Sequence, residues 1–345
     1  MTVLLEHAWG VLGTLGLLVI SSWASAHAIL HKREVHASIS WAALIWLAPG
    51  VGALAYLLLG RNRIGRRAAE LRSGLTRVRS PRAECVAPPD VPRQIGCEAP
   101  QLTELARLIG EATQRPLLSG NLVTPLIDGD QAYPAMLEAI ARAERSIALA
   151  TYIFDTSQVG MRFVDALCAA QARGVQVRVL IDDVGIHYSF PVVDHALRKR
   201  GVHVARFMPA SRAAYFNLRS HRKLLVVDGK VGFTGGMNIR AGHVLGDRPK
   251  SPIRDLHFRV EGPVVAQLMD LYAEDWLFTT REKLEGDLWY PTLASAGPTL
   301  ARGIPDGPDE DIDMIRWAFL GGIACARSSI RVLTPYFLPE MSLAT

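Results

Sequence analysis

Cysteine is scarce in this chain, and what there is lacks pattern. Cys85, Cys97, Cys168 and Cys325 are the only four in 345 residues, and they show neither metal-ligand spacing nor an even series of close pairs. That excludes a zinc-knuckle or disulfide-stapled scaffold and leaves reduced structural thiols. Formal charge is missing as well over two long stretches. Ala8 to Leu30 carries none for 23 residues, and Ala37 to Gly60 none for 24. A third absence is a basic globular surface. The chain carries +5 overall, but Arg61, Arg63, Arg66, Arg67, Arg72, Arg77, Arg79 and Arg82 against Glu70 place +7 within residues 61–82, so everything else sums to −2. A slightly acidic remainder argues against nucleic acid as a partner, because phosphate-backbone binding needs a cationic surface.

Each uncharged stretch exceeds the roughly 20 apolar residues that cross a bilayer. Ala24-Ser25-Ala26 has the form of a signal-peptidase site, yet the segment before the first stretch holds no Lys or Arg, contains Glu6, and a second stretch follows at once. The expectation is therefore a transmembrane helical hairpin over residues 1–60. The connection HKREVH (31–36) holds two basic side chains, whereas eight arginines crowd the exit of the second stretch. That asymmetry puts the N-terminus and the bulk of the chain in the cytoplasm, with the arginine cluster beside anionic lipid headgroups.

Residues 61–120 read as a basic juxtamembrane segment and a linker broken by Pro81, Pro88, Pro89, Pro92 and Pro100, with one amphipathic stretch at Leu102–Thr113. Beyond it, helical and apolar stretches alternate. A helix is expected over 132–145, a strand over 146–154, a helix over 159–172, a strand over 175–181, a helix near 192–200 and a strand over 202–207. This alternation predicts an α/β domain, a mixed sheet covered by helices, over 121–300. The chain also resembles itself. IARAERSIALATYIF (140–154) and IACARSSIRVLTPYF (323–337) share seven identities in fifteen at an offset of 183, each reading as a helix end that runs into a buried strand. Residues 301–345 are thus expected to begin a second copy of the fold.

The densest chemistry lies in HRKLLVVDGKVGFTGGMN (221–238). Leu224–Val227 and Val231–Thr234 read as strands joined at Asp228-Gly229, a hairpin signal, so Asp228 has a purely structural reading as a turn residue. His221 and Lys223, two apart at a strand end, would share a face. Cleaving a phosphodiester needs a nucleophile, positive charge on the nonbridging oxygens and an acid for the leaving alkoxide. One His and one Lys supply the first two. Gly235 and Gly236 would let backbone approach closely, and Asn238 offers an amide for a phosphate or for orienting a side chain.

His221-x-Lys223-x4-Asp228 followed by Gly235-Gly236-x-Asn238 resembles the HKD signature of the phospholipase D superfamily. The resemblance extends to bacterial cardiolipin synthases through YIFDTSQVG, GVQVRVLIDDVG, NLRSHRKLLVVDGKVGFTGGMNI, RDLHFRVEGPVVAQL, DWLF and TPYFLPE (334–340). It implies a phospholipase D-like fold in the bacterial inner membrane and a transfer without cofactor or metal. A motif histidine attacks phosphatidylglycerol, glycerol leaves, and the phosphatidyl group passes to the hydroxyl of a second phosphatidylglycerol. On this chain it makes His221 the nucleophile or its acid/base partner, Lys223 the phosphate-holding cation, Asp228 a residue that orients or supports the motif histidines, and Asn238, with Gly235 and Gly236, the phosphate-side contacts. His257, in RDLHFRV, reads as structural.

The departure from the family pattern is the second HKD motif, which the repeat offset would place near position 404. The expectation is a piece of a longer enzyme; a chain that self-associates to supply the second motif and a degenerate relative are the alternatives. Competing activities are a phosphodiesterase or hydrolytic phospholipase, and a noncatalytic protein that binds anionic lipid.

Overall fold

A computed structural model describes residues 2–32, 35–60, 100–208, 219–305 and 314–334. The arginine cluster of 61–82, the proline-rich linker with Cys85 and Cys97, and most of TPYFLPE lie outside the described residues. The chain forms two compact units, Met1–Glu70 and Leu71–Thr345.

In the first unit, α1 (Thr2–His31) is continuous, and its Trp9–His31 portion is long and apolar enough to cross a membrane. Large side chains such as Leu12, Val19 and Ile29 are exposed, as an all-round apolar helix requires when lipid is its solvent. The second uncharged stretch departs from expectation, because it is not one helix. It runs as α2 (Val35–Leu47), breaks at Ala48-Pro49-Gly50, and resumes as α3 (Val51–Ala55) with a π-helical turn over Tyr56–Gly60. Pro49 cannot donate to the helical ladder and Gly50 adopts φ 83°, so the break is written into those residues. The two arms pack through Ala24, Ala28, Ile45, Ala53 and Tyr56, and the Tyr56 hydroxyl lies 2.7 Å from His27 Nδ1.

The second unit opens with α4 (Gln101–Thr113) and is built on an eight-stranded mixed sheet. The strands are β1 (Leu118–Ile127), β2 (Ser146–Thr151), β3 (Gln176–Asp182), β4 (His203–Phe207), β5 (Leu224–Val227), β6 (Val231–Gly235), β7 (Leu256–Glu261) and β8 (Thr299–Ala301), in the order β4-β3-β2-β5-β6-β7-β1-β8. The pairs β2–β3 and β3–β4 are parallel and the others antiparallel. Helices α5 (Asp128–Arg142), α6 (Gln158–Ala172) and α7 (Val193–Lys199) supply one layer. Alternate strand residues Ile147, Leu149, Val177, Val179, Leu225 and Phe233 share its core with Tyr133, Ile140 and Phe163. The other face carries α8 (Val264–Thr280), whose Tyr272 hydroxyl donates to the Arg178 carbonyl of β3 at 2.8 Å. Gly232 lets α8 sit down, since a Cβ there would meet Leu268 Cδ1 at 2.8 Å.

The alternation read from sequence lies inside these elements, with shifts at the ends. The helix expected from 132 starts at Asp128, and the strand expected to 154 leaves the sheet after Thr151, Phe154 keeping an isolated bridge to Ile239. Two observations bear on the expected boundaries. β8 pairs with β1 at Leu118 and Asn121, so residues 299–301 complete the first sheet and β1 begins within the stretch read as linker. Of the expected second copy, the described residues contain the helix, and residues 335–337 of the repeat lie outside them. Helix α9 (Met314–Ala324) packs on α4, but residues 328–334 form no strand and leave Ile330, Val332 and Leu333 exposed. A strand needs a hydrogen-bonding neighbour, and the described residues offer this segment none.

Candidate active site

The antiparallel pairing of β5 with β2, Ala150 opposite Leu224, fixes what meets at each end of the sheet. The start of β5 lies with the C-terminal ends of β2, β3 and β6 and the start of β7. Residues 219–223, Tyr152, Asp182, Gly235 and Asp255–His257 therefore converge at one end. Asp228 is carried to the other.

His221 and Lys223 precede the strand by one to three residues instead of lying within it. The segment is pinned from both sides. The Asp182 carboxylate accepts the Ser220 N–H at 3.2 Å, and Asp275 of α8 accepts the Ser220 hydroxyl at 3.2 Å and pairs with Arg222 at 2.6 Å. His221 is exposed, with its ring 4.8 Å from the Tyr152 ring, centroid to centroid. Desolvation and then the Lys223 ammonium hold its imidazole below the usual value, which favours the neutral, nucleophilic form.

Lys223 is buried, its Nζ donating to the His221 carbonyl at 2.6 Å and lying 5.6 Å from the Tyr152 ring centroid. Burial pulls its pKa down to about 8, against the raising influence of Asp255 and then Asp182. The ammonium is thus positioned but under-solvated, the state in which an anion gains most from meeting it.

The two glycines are explained by what presses on them. A Cβ on Gly235 would stand 2.6 Å from His257 Nδ1, and one on Gly236 would stand 2.4 Å from the Asp255 carboxylate. The close approach is thus made by protein groups behind the site. His257 is buried with neither ring nitrogen bonded among the described residues, and burial, then His243 and Lys223, push its pKa down to about 4. It is a neutral packing group at physiological pH. Asn238 Oδ1 accepts the Ile153 N–H at 3.0 Å, which holds the amide beside the departure of β2 from the sheet.

Asp228, expected to orient or support the motif histidines, lies at the sheet end away from His221. Its carboxylate accepts the backbone N–H groups of Glu144, Arg145 and Ser146 at 3.1, 2.8 and 2.9 Å. It is a clamp joining the β5–β6 turn to the α5–β2 junction. The turn itself has Asp228 and Gly229 at φ 53° and 64°, with Lys230 N–H bonded to the Val227 carbonyl at 2.9 Å. Val227 pairs with Val231, so three residues connect the strands, one more than the dipeptide signal implies.

A cavity of about 560 Å³ opens at the convergent end, lined by Arg219, His221, Arg222, Lys223 and Arg302 on its polar side. Leu224, Leu268, Leu271, Ile304 and Ile315 supply the aliphatic side. Cations beside an aliphatic wall suit a phosphate ester with apolar substituents. Sequence reasoning singled out neither Tyr152, Asp182, Asp255 nor Arg302. The first three stand within quoted stretches at strand ends, where topology rather than local pattern makes them neighbours.

A family model described as "Cardiolipin synthase, PLD-like domain" matches residues 136–274, and one described as "Phospholipase_D-nuclease N-terminal" matches residues 19–61. Cardiolipin synthase A of Pseudomonas fluorescens is 29% identical over 339 residues, covering 97% of this chain and 70% of its own length. That of Pseudomonas putida is 30% identical over 335 residues, covering 96% and 69%. The crystal structure of phosphatidylserine synthase from Haemophilus influenzae is similar with a TM-score of 0.40 and 14% identity, over 54% of this chain and 44% of that one. The chain spans about two thirds of the length of the curated relatives it matches.

Proposed function

Given that the chain belongs to the cardiolipin synthase family of phospholipase D-like proteins, we propose that it is a membrane-bound phosphatidyltransferase. Its reaction joins two phosphatidylglycerol molecules into cardiolipin and releases glycerol. The observation that carries the reading is the pairing of an exposed, neutral-leaning His221 with the buried Lys223 ammonium at a cavity that is cationic on one side and aliphatic on the other.

An imidazole nitrogen of His221 attacks the phosphorus of one phosphatidylglycerol. The P–N bond forms, the P–O bond to glycerol breaks, and the leaving alkoxide takes a proton from an acid. Lys223 holds the nonbridging oxygens as charge builds on them. The hydroxyl of a second phosphatidylglycerol then attacks phosphorus, gives its proton to a base and displaces His221. Asn238 steadies the phosphate side of the site, Gly235 and Gly236 keep it open, and Asp228 acts at a distance by holding the hairpin. A second motif histidine, from another copy of this fold, serves as acid and base; self-association is one way to supply it. The bacterial cytoplasmic membrane is the site of action, with a two-armed anchor and the α/β unit on the cytoplasmic side. That placement is supported by the apolar Trp9–His31 helix and by the arginines of 61–82.

The test is to incubate membranes carrying the chain, with a second motif-bearing copy of the fold supplied, with phosphatidylglycerol labelled in its phosphate. Cardiolipin, free glycerol and an acid-labile label on protein are expected, and His221→Ala loses all three. Equal product from His221→Ala removes His221 from the chemistry. Phosphatidic acid as the sole product makes the protein a hydrolase.

A further inference from the structure

Four cations line the His221 cavity, and three of them have carboxylates for company. Arg219 lies 3.6 Å from Asp182, Arg222 lies 2.6 Å from Asp275, and Lys223 feels Asp255 and Asp182. Arg302 differs. Its Nη1 donates to the Ala106 carbonyl of α4 at 2.9 Å, while its Nε is buried without a hydrogen-bond partner among the described residues. Among the described residues, burial is what acts on this guanidinium, drawing its pKa down with no described carboxylate beside it.

A half-buried guanidinium is under-solvated, and an anion in the cavity that Arg302 lines offsets that cost. The surroundings hold it in place for one. Gly110 leaves it room, since a Cβ there would stand 3.1 Å from Arg302 Nη2. The next residue is fixed by the Gly303 N–H, which donates to Gln267 Oε1 at 2.7 Å. Arg302 thus reaches the cavity from the segment after β8, whereas His221 and Lys223 reach it from the segment before β5.

We propose that Arg302 forms a second phosphate subsite in this cavity, which takes the phosphate of the acceptor phosphatidylglycerol while His221 and Lys223 hold the phosphate being transferred. The inference rests on the transferase reading, in which two lipid phosphates occupy the site together. The acceptor hydroxyl is separated from its own phosphate by a three-carbon glycerol. A cation on another wall can hold that phosphate while the hydroxyl reaches the phosphorus on His221. The guanidinium fork suits two phosphate oxygens, and the neighbouring Ile304 and Ile315 suit the lipid's apolar part.

The test titrates the full chain in detergent with dihexanoyl-phosphatidylglycerol, with dihexanoylglycerol and inorganic phosphate as separate arms, by calorimetry. Two lipid sites per chain are expected in the native protein and one in Arg302→Gln. Arg302→Lys, which keeps the charge but not the planar guanidinium, should weaken the second site about tenfold, and it carries the test if Arg302→Gln does not fold. Two undiminished sites in both variants overturn the subsite and leave the transferase reading standing. A native chain that binds dihexanoyl-phosphatidylglycerol no better than dihexanoylglycerol overturns that reading instead. Inorganic phosphate emptying the Arg302 site at concentrations equal to the lipid would make it a site for free phosphate, and the lipid assignment falls.

Discussion

Strand β5 carries parts of one short motif at its two ends, and the ends are opposite in character. Beyond Val227, the Asp228 carboxylate is satisfied by three backbone N–H groups in a row. Before Leu224, the Lys223 ammonium is buried with one carbonyl acceptor among the described residues, and its pKa has fallen to about 8. A polar group whose bonds are complete stabilises the fold. One buried with its bonds unmade weakens it, and is retained where a ligand completes them. On the proposed reading the motif divides into two functional letters and one architectural letter, although all three lie within eight residues.

The sharpest way to break this comparison is to remove the charge at the unsatisfied end. Lys223→Met should lower phosphatidyl transfer on the order of a hundredfold to a thousandfold. Because it also removes a buried charge, its denaturant midpoint should be equal to or above that of the native protein. Lost activity together with lost stability would make Lys223 structural. At the satisfied end the pattern reverses. Asp228→Ala should cost about 2–3 kcal/mol of stability, read from urea unfolding, because three N–H groups lose their acceptor. Activity per folded molecule should remain within about twofold. Asp228→Asn retains one oxygen and tolerates the positive φ, so its cost should be smaller.

The smallest effect is the pH profile. Lys223 binds phosphate only as the cation, and its pKa in the free protein stands at about 8. Transfer read as kcat/KM should therefore be flat just below pH 8 and fall about tenfold per unit above it, where an ordinary lysine would hold its charge to about pH 10. On the acid side the loss should begin below the usual histidine range, since His221 is held down by desolvation and by Lys223. A profile flat to pH 10 would remove Lys223 from the phosphate.

Much of the α/β architecture was legible because it is local. Val177, Val179 and Ile181 alternate, α6 has its apolar face and a Ser157 cap, and Asp228-Gly229 marks a hairpin. His221 and Lys223 were legible too, since their chemistry sits in one short stretch. Other groups were hidden because antiparallel pairing sets them, and that has no local signature. Asp255 and His257 meet Gly236 and Gly235 only through the β6–β7 register, and Asp228 finds residues 144–146 across more than eighty positions. Arg302 belongs to no periodic pattern, and only the packing of its segment against α4 and α8 brings it to the cavity. The hairpin of uncharged stretches was legible, but the break in its second arm was not, because composition counts apolar residues without weighing one proline. Pro49 ends α2 after thirteen residues.

In a bilayer that proline is a matter of reach. Thirteen helical residues rise about 20 Å, against a hydrocarbon thickness of about 30 Å, so α2 alone falls short. For this stretch to cross, as the proposed hairpin requires, the turns of 51–60 would make up the remainder at whatever angle the Pro49-Gly50 joint allows. Gly52 sets that angle, because a Cβ there would stand 2.4 Å from the Leu44 carbonyl oxygen, and any side chain would force the joint to straighten or splay. In a hairpin so built, the second arm's span would be set by the angle of this elbow as well as by the count of apolar residues.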